Sequence, residues 1–197
     1  MSSVRRISSL ALFLAAITAV SAPSAGMLAS AQVPDSKNQT SQAKSDTSLP
    51  EVFNSVVSKV KAKSRVPVLL PSKLPEPIAR AGNPVIDMAE ANAYVISLYY
   101  KLGIGNAGFA ASFSGTANPG HILEELPNVF EVKLARGVRG FFSPVSCGGS
   151  CAPANLWWED GGILYQIQLR LSSTQSDEAQ EQTITAVANS AILAGPR

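Results

Sequence analysis

Residues 157–171 read WWEDGGILYQIQLRL. Side chains alternate faces along a strand, so positions of equal parity share a face. Ile163, Tyr165, Ile167, Leu169 and Leu171 are apolar, while Gln166, Gln168 and Arg170 make up most of the even-numbered set. This is the pattern of a strand with one face buried. A two- or four-residue hairpin loop through Gly161-Gly162 places residue 158 opposite an odd-numbered residue. Trp158 is therefore expected in the core. Trp157 is expected on the other face with Gln166, Gln168 and Arg170, because register and parity are coupled. That face is the candidate binding surface. An indole among amides and a guanidinium can stack on a sugar ring or a partner's proline; it can equally be covered by the loop that precedes it.

That loop, residues 146–153, reads SCGGSCAP and holds both cysteines of the chain, Cys147 and Cys151. In an oxidising compartment such a pair is expected to form a disulfide, and Gly148-Gly149 gives the backbone the freedom to turn between them. Two functional alternatives stand beside this staple. One is a thiol redox couple. The other is a copper(I) site, since thiolates select that ion, with His121 as a remote third ligand. Pro144 and Pro153 flank the pair and argue against a helix starting at either cysteine, where a labile pair would normally sit.

Working outward, Tyr94 to Leu102 is apolar on both faces and reads as a central strand. Phe109, Ala111 and Phe113 alternate in the next segment. Phe130, Val132 and Leu134 alternate with Glu131 and Lys133, and Gly140 to Pro144 offers a further strand. Val66 to Leu70 reads as a short strand, followed by an irregular stretch set by Pro71, Pro75 and Pro77. A helix is expected from a capping box at Ser48 and Glu51 to about Ala62, with Val52, Phe53, Val56, Val57 and Val60 at helical spacing. A second helix is expected after Ser176, with Asp177 and Glu178 in its first turn. Its stripe is Ile184, Val187, Ala188, Ala191 and Ile192, and its stop signal is Gly195-Pro196. The fold class is α+β: an antiparallel sheet of about five to six strands packed by an N-terminal and a C-terminal helix.

The N-terminus predicts export. Arg5 and Arg6 precede the apolar run Leu10 to Val20, and Ala29-Ser30-Ala31 forms a small-residue cleavage site, so residues 1–31 read as a signal peptide. The apolar run is too short to span a bilayer, and no cysteine is placed for a lipoprotein anchor. Residues 32–47 are rich in Ser, Gln, Lys and Asp and read as a disordered linker, with an Asn38 sequon. Residues 48–197 form a single α+β domain of a size suited to one core. The protein is expected to be secreted or periplasmic, with no membrane span after cleavage.

The chain is 46% hydrophobic and 15% charged, with 16 basic and 14 acidic residues. Arg5 and Arg6 are the only charges before residue 32, so the remainder is balanced. Such a balance gives no electrostatic drive toward nucleic acid. Lys59, Lys61, Lys63 and Arg65 form one basic run, read as a solvated helix end complementing the negative pole of the macrodipole. Gly103 to Gly108 matches G-x-G-x-x-G, but a dinucleotide site needs a helix immediately afterwards, and the alternation of FAASFSG predicts a strand. The glycines then read as a hairpin loop. His121, the single histidine, forms H-x-x-E with Glu124, short of the three or four ligands of a zinc site. No H-E-x-x-H or G-x-S-x-G motif is present.

Phe130 to Leu193 resembles a module of unknown function in bacterial exported and anti-sigma-type proteins. The residues that carry the likeness are Gly137 and Gly140, Trp158 and Gly162, Tyr165 with Ile167, Ser176 with Asp177, and Ala188 with Ser190. The cystine loop departs from that pattern. The resemblance implies an extracytoplasmic binding or sensing domain without catalytic residues. The first expectation is thus a non-catalytic, cofactor-free module that binds an extracytoplasmic protein or glycan. The second is a thiol redox or copper(I)-handling protein. A hydrolase with a dispersed carboxylate pair such as Glu124 and Glu159 is a third, with no motif behind it.

Overall fold

The structure, a computed structural model, describes residues 47–117, 119–120, 123 and 129–197. The expected signal peptide, all of the linker but Thr47, the Asn38 sequon, His121 and Glu124 lie outside the described residues. The chain divides between Gln42 and Ala43, and the described residues belong to the second unit.

Among the described residues, nine strands and two α-helices are formed. The strands are β1 (Asn83–Glu90), β2 (Ala93–Tyr99), β3 (Phe109–Ala117), β4 (Phe130–Lys133), β5 (Arg139–Ser143), β6 (Ser146–Cys147), β7 (Cys151–Ala152), β8 (Ala154–Asp160) and β9 (Ile163–Leu169). The helices are α1 (Asn54–Lys61) and α2 (Asp177–Ala194). Seven strands form one sheet in the order β1-β2-β3-β9-β8-β5-β4, and β6 and β7 form a separate two-stranded ribbon. Every pairing is antiparallel.

The parity reading holds at its centre. Asp160 pairs with Ile163 across Gly161-Gly162, and both glycines have positive φ, 60° and 75°, as a two-residue hairpin turn of the right twist requires. Trp158 consequently pairs with Tyr165, is 1% exposed and stacks on that tyrosine at 5.5 Å. One inner row crosses six strands: Tyr94, Gly115, Tyr165, Trp158, Gly140 and Val132. Gly115 is there because two tyrosines converge over it. A Cβ at that position would sit 2.7 Å from Tyr94 Cε1 and 3.1 Å from Tyr165 Cε1.

Both helices bury their stripes in the core that this inner face provides. Phe53, just before α1, meets Phe113 edge-on at 5.4 Å, and Val56 and Val60 join the same core. All five expected stripe residues of α2 are buried, each large one contributing about 1.5–3 kcal/mol of apolar burial. Ser176 caps α2 by accepting from Ala179 N at 3.3 Å, and Gly195, at φ 75°, ends it. Gln180, 2% exposed, ties α2 to the segment entering the ribbon by accepting from Val145 N at 2.8 Å. Lys59, Lys61, Lys63 and Arg65 are exposed at and beyond the end of α1.

Three expectations need correction. The main sheet has seven strands, not five to six. The added strand is β1, whose Pro84, Asp87 and Glu90 conceal its pattern. As an edge strand it tolerates proline, which a central strand does not. Val66–Leu70 is not a strand: it is an extended strap buried against the inner face. Its polar groups are met by side chains and one distant amide. Leu69 N donates to Tyr94 Oη at 3.0 Å, Tyr165 Oη donates to Pro67 O at 3.2 Å, and Arg197 N donates to Val68 O at 3.0 Å. The layer opposite the sheet is therefore helix, strap and helix. Finally, the capping box at Ser48 does not start α1. A 3-10 turn over Glu51–Phe53 comes first, and its cap position is Pro50, which has no side chain able to cap.

Candidate functional site

The outer sheet face carries a polar row fixed by register: Ser97, Ser112, Gln168, Asn155 and Ser143. Its amides are satisfied by one another. Asn155 Oδ1 accepts from Gln166 Nε2 and from Gln168 Nε2, each at 2.8 Å. Ser112 Oγ donates to Gln168 Oε1 at 3.1 Å, and Asn155 Nδ2 donates to Pro153 O at 2.8 Å. Ser97 Oγ donates to the Asp87 carboxylate. One row along, Trp157 stands between Phe141 and Gln166 and is half-buried. Beyond it the Arg139 guanidinium lies 5.2 Å from the Phe141 ring centre and 3.2 Å from Glu131. Two of the four predicted surface residues, Gln166 and Gln168, are thus held in an internal network.

At the end of this face a cleft of about 720 Å³ opens where three elements meet. The β2–β3 loop supplies Asn106 and Ala107, and β3 supplies its first residue, Phe109. The ribbon and the residues flanking it supply Val145, Ser150, Cys151 and Pro153; β9 and the segment just after it supply Gln168, Arg170, Leu171, Ser172 and Ser173. Such a volume lies in the range of small-ligand sites. Trp157 and Gln166 are not part of its lining. The structure therefore brings together Gln168, Arg170 and Cys151 and leaves Trp157 apart on the open sheet.

Each wall has a local cause. The loop is the G-x-G-x-x-G segment, and a strand follows it rather than a helix. Its last glycine is enforced by closeness: a Cβ on Gly108 would lie 2.0 Å from Lys101 O. Tyr100 N donates to Gly108 O at 2.8 Å and closes the loop. Arg170 continues the β9 register, its amide donating to Ala110 O at 2.9 Å. Its NH1 donates to Asn106 O at 2.6 Å and Ala107 O at 2.9 Å. Its Nε and NH2 meet no acceptor among the described residues. Nearby, burial pushes the Tyr100 phenol up, with the Arg170 charge acting in the opposite sense.

The ribbon is closed by the Cys147–Cys151 disulfide, with Cα atoms 4.0 Å apart, and Gly148 N donates to Ser150 O at 3.0 Å within it. Both half-cystines are exposed, and no described cysteine is free. The disulfide expectation is met. His121, the third ligand of the copper alternative, lies outside the described residues, as does Glu124; Glu159 is exposed at the far end of β8. Among the described residues no helix is long and apolar enough to cross a membrane.

Two participants escaped the sequence reading. Asn155 was legible in principle, since the same hairpin register that pairs 158 with 165 pairs 155 with 168. The carbonyls of Asn106 and Ala107 carry no side-chain signal at all. Comparison with protein-family models, curated proteins and solved structures finds no match. The site must accordingly be read from its own chemistry.

Proposed function

We propose that the protein is an exported, non-catalytic binding module whose ligand site is the cleft between the β2–β3 loop, the cystine ribbon and the end of β9. The supporting observation is Arg170. It is held in place through NH1 by two backbone carbonyls, while its other edge remains open for a ligand. A side chain ordered before binding pays less entropy when it binds. The ligand is an extracytoplasmic protein segment or glycan, in keeping with the export signal and the resemblance over Phe130 to Leu193.

The test applies the full exported chain to a glycan array and an immobilised peptide panel. Capture weakened about tenfold or more, some 1.4 kcal/mol, by Arg170→Ala supports the cleft, provided thermal stability is kept. Capture lost in Trp157→Ala but unchanged in Arg170→Ala moves the site to the open sheet. No capture by either collection overturns the reading.

A second reading, thiol redox or copper(I) handling through Cys147, Cys151 and His121, draws on the exposure of both half-cystines. Intact-mass measurement of exported protein separates the two. Joined sulfurs that resist mild reductant favour the binding module; free thiols, or retained copper, favour the second.

A further inference from the structure

We infer that the cleft recognises a carboxylate carried on an apolar group, with Arg170 as the residue that selects the anion; this rests on the proposed function above. Among the described residues lining the cleft, Arg170 is the single ionisable side chain and no carboxylate is present. An anion entering there meets attraction without an opposing acid. The guanidinium has one edge engaged by Asn106 O and Ala107 O. Its Nε–NH2 edge offers two parallel N–H donors, the geometry that a carboxylate accepts in bidentate fashion. The anchoring bonds fix the plane of that fork before a ligand arrives.

The rest of the wall sets what the carboxylate is attached to. Phe109, Val145, Pro153 and Leu171 supply apolar surface, and Ser150, Ser172 and Ser173 add hydroxyls beside it. The amide of Gln168 is already engaged by Ser112 and Asn155, so it adds little further polar recognition. An inorganic anion would leave the apolar wall uncovered, and a neutral amphiphile would leave the guanidinium edge without an acceptor. A carboxylate on a short aliphatic body satisfies both.

The experiment follows backbone amide and Arg Nε–H resonances of the full exported chain by NMR during titration. The probes are hexanoate, hexanamide, inorganic phosphate, N-acetyl-leucine and glucuronate. Hexanoate is expected to shift Arg170 Nε–H and the amides of Asn106, Cys151 and Leu171, and to bind at least about tenfold more tightly than hexanamide. Arg170→Lys keeps the charge but not the fork, and is expected to fall between the natural protein and Arg170→Met. N-acetyl-leucine carries its carboxylate on an apolar body and glucuronate on a polyhydroxylated one; tighter binding of N-acetyl-leucine supports the inference, and tighter binding of glucuronate overturns its apolar part. Should Arg170→Met disturb the β2–β3 loop, the comparison of hexanoate with hexanamide on the unaltered protein decides alone. Equal binding of that pair, or tighter binding of phosphate, overturns the carboxylate inference and leaves the cleft a ligand site. No shift of cleft resonances with any probe overturns both.

Discussion

Trp158 and its stacking partner Tyr165 show how much one side chain can be worth here. Trp158 is buried, and its Nε1 has no hydrogen-bond partner among the described residues, so its contribution is area, packing and ring contact. Trp158→Ala should cost about 3–5 kcal/mol through lost burial and a residual cavity. Trp158→Phe, which forfeits no hydrogen bond and keeps an aromatic ring, should cost clearly less. Chemical denaturation of the two variants side by side checks this; equal losses would mean that the indole N–H matters. Tyr165 gives a prediction in pH. Desolvation by burial pushes its phenol up to about 12 from an ordinary 10, and burial raises Tyr94 as well. The fold favours the neutral phenols, so the Tyr165 contribution is fully present below pH 10 and is lost as pH rises through about 12, with that of Tyr94 lost at still higher pH. Near-ultraviolet ellipticity and tyrosinate absorbance should therefore change together in alkaline titration. Ionisation of both tyrosines within an intact fold would contradict the assignment.

At the level of elements, α2 and the ribbon make separate predictions. Ser176→Ala removes the acceptor for Ala179 N and should cost about 1 kcal/mol. The Glu178 carboxyl is held below its ordinary value first by its own backbone N–H and then by the Ser176 side chain. Its contribution is present above the ordinary glutamate value and lost as pH falls through the lowered one. In Ser176→Ala the NMR titration midpoint of Glu178 should move upward, and an unmoved midpoint would count against the cap. The disulfide closes a loop with a sequence separation of 4. Chain-entropy reasoning gives such a short closure only about 2 kcal/mol. Cys147→Ser with Cys151→Ser should thus lower Tm modestly and leave the seven-stranded sheet intact by circular dichroism. Loss of the fold would show that the ribbon supports more than its own hairpin.

Across the whole unit, the strap at 66–70 joins distant parts of the chain, and Arg197 holds it. The Arg197 guanidinium donates to Leu70 O from Nε at 3.1 Å and from NH2 at 2.9 Å. Its NH1 reaches Thr47 O at 2.5 Å. Arg197→Ala should cost about 1–3 kcal/mol, as expected for bonds with a charged donor. Amide exchange in Val68, Leu69 and Leu70 should accelerate in the variant while that of β9 stays slow, because local opening follows local contacts. Uniform acceleration throughout would instead mark a loss of global stability. The sheet itself is joined at long range: β3 pairs with β9, placing Phe113 opposite Ile167, which unites the β1-β2-β3 half with the β9-β8-β5-β4 half.

The amino-acid sequence alone determined the features governed by near neighbours. Two glycines at a hairpin turn and the period of a strand placed Trp158 inside and Trp157 outside. A serine before two acids capped α2, and two cysteines around Gly-Gly formed a closed ribbon. Each of these rests on turn geometry, residue parity or a capping bond a few residues long. Tertiary structure alone decided what depends on partners far along the chain. It made β1 an edge strand despite its proline, and it turned Val66–Leu70 from a strand into a strap by engaging its polar groups with Tyr94, Tyr165 and Arg197. It also drew Arg170, the carbonyls of Asn106 and Ala107, and the cystine ribbon to one cleft. Backbone carbonyls have no residue-type signature, and a hydrogen bond spanning more than sixty positions leaves no local period to read, so the site became visible only when the sheet brought its ends together.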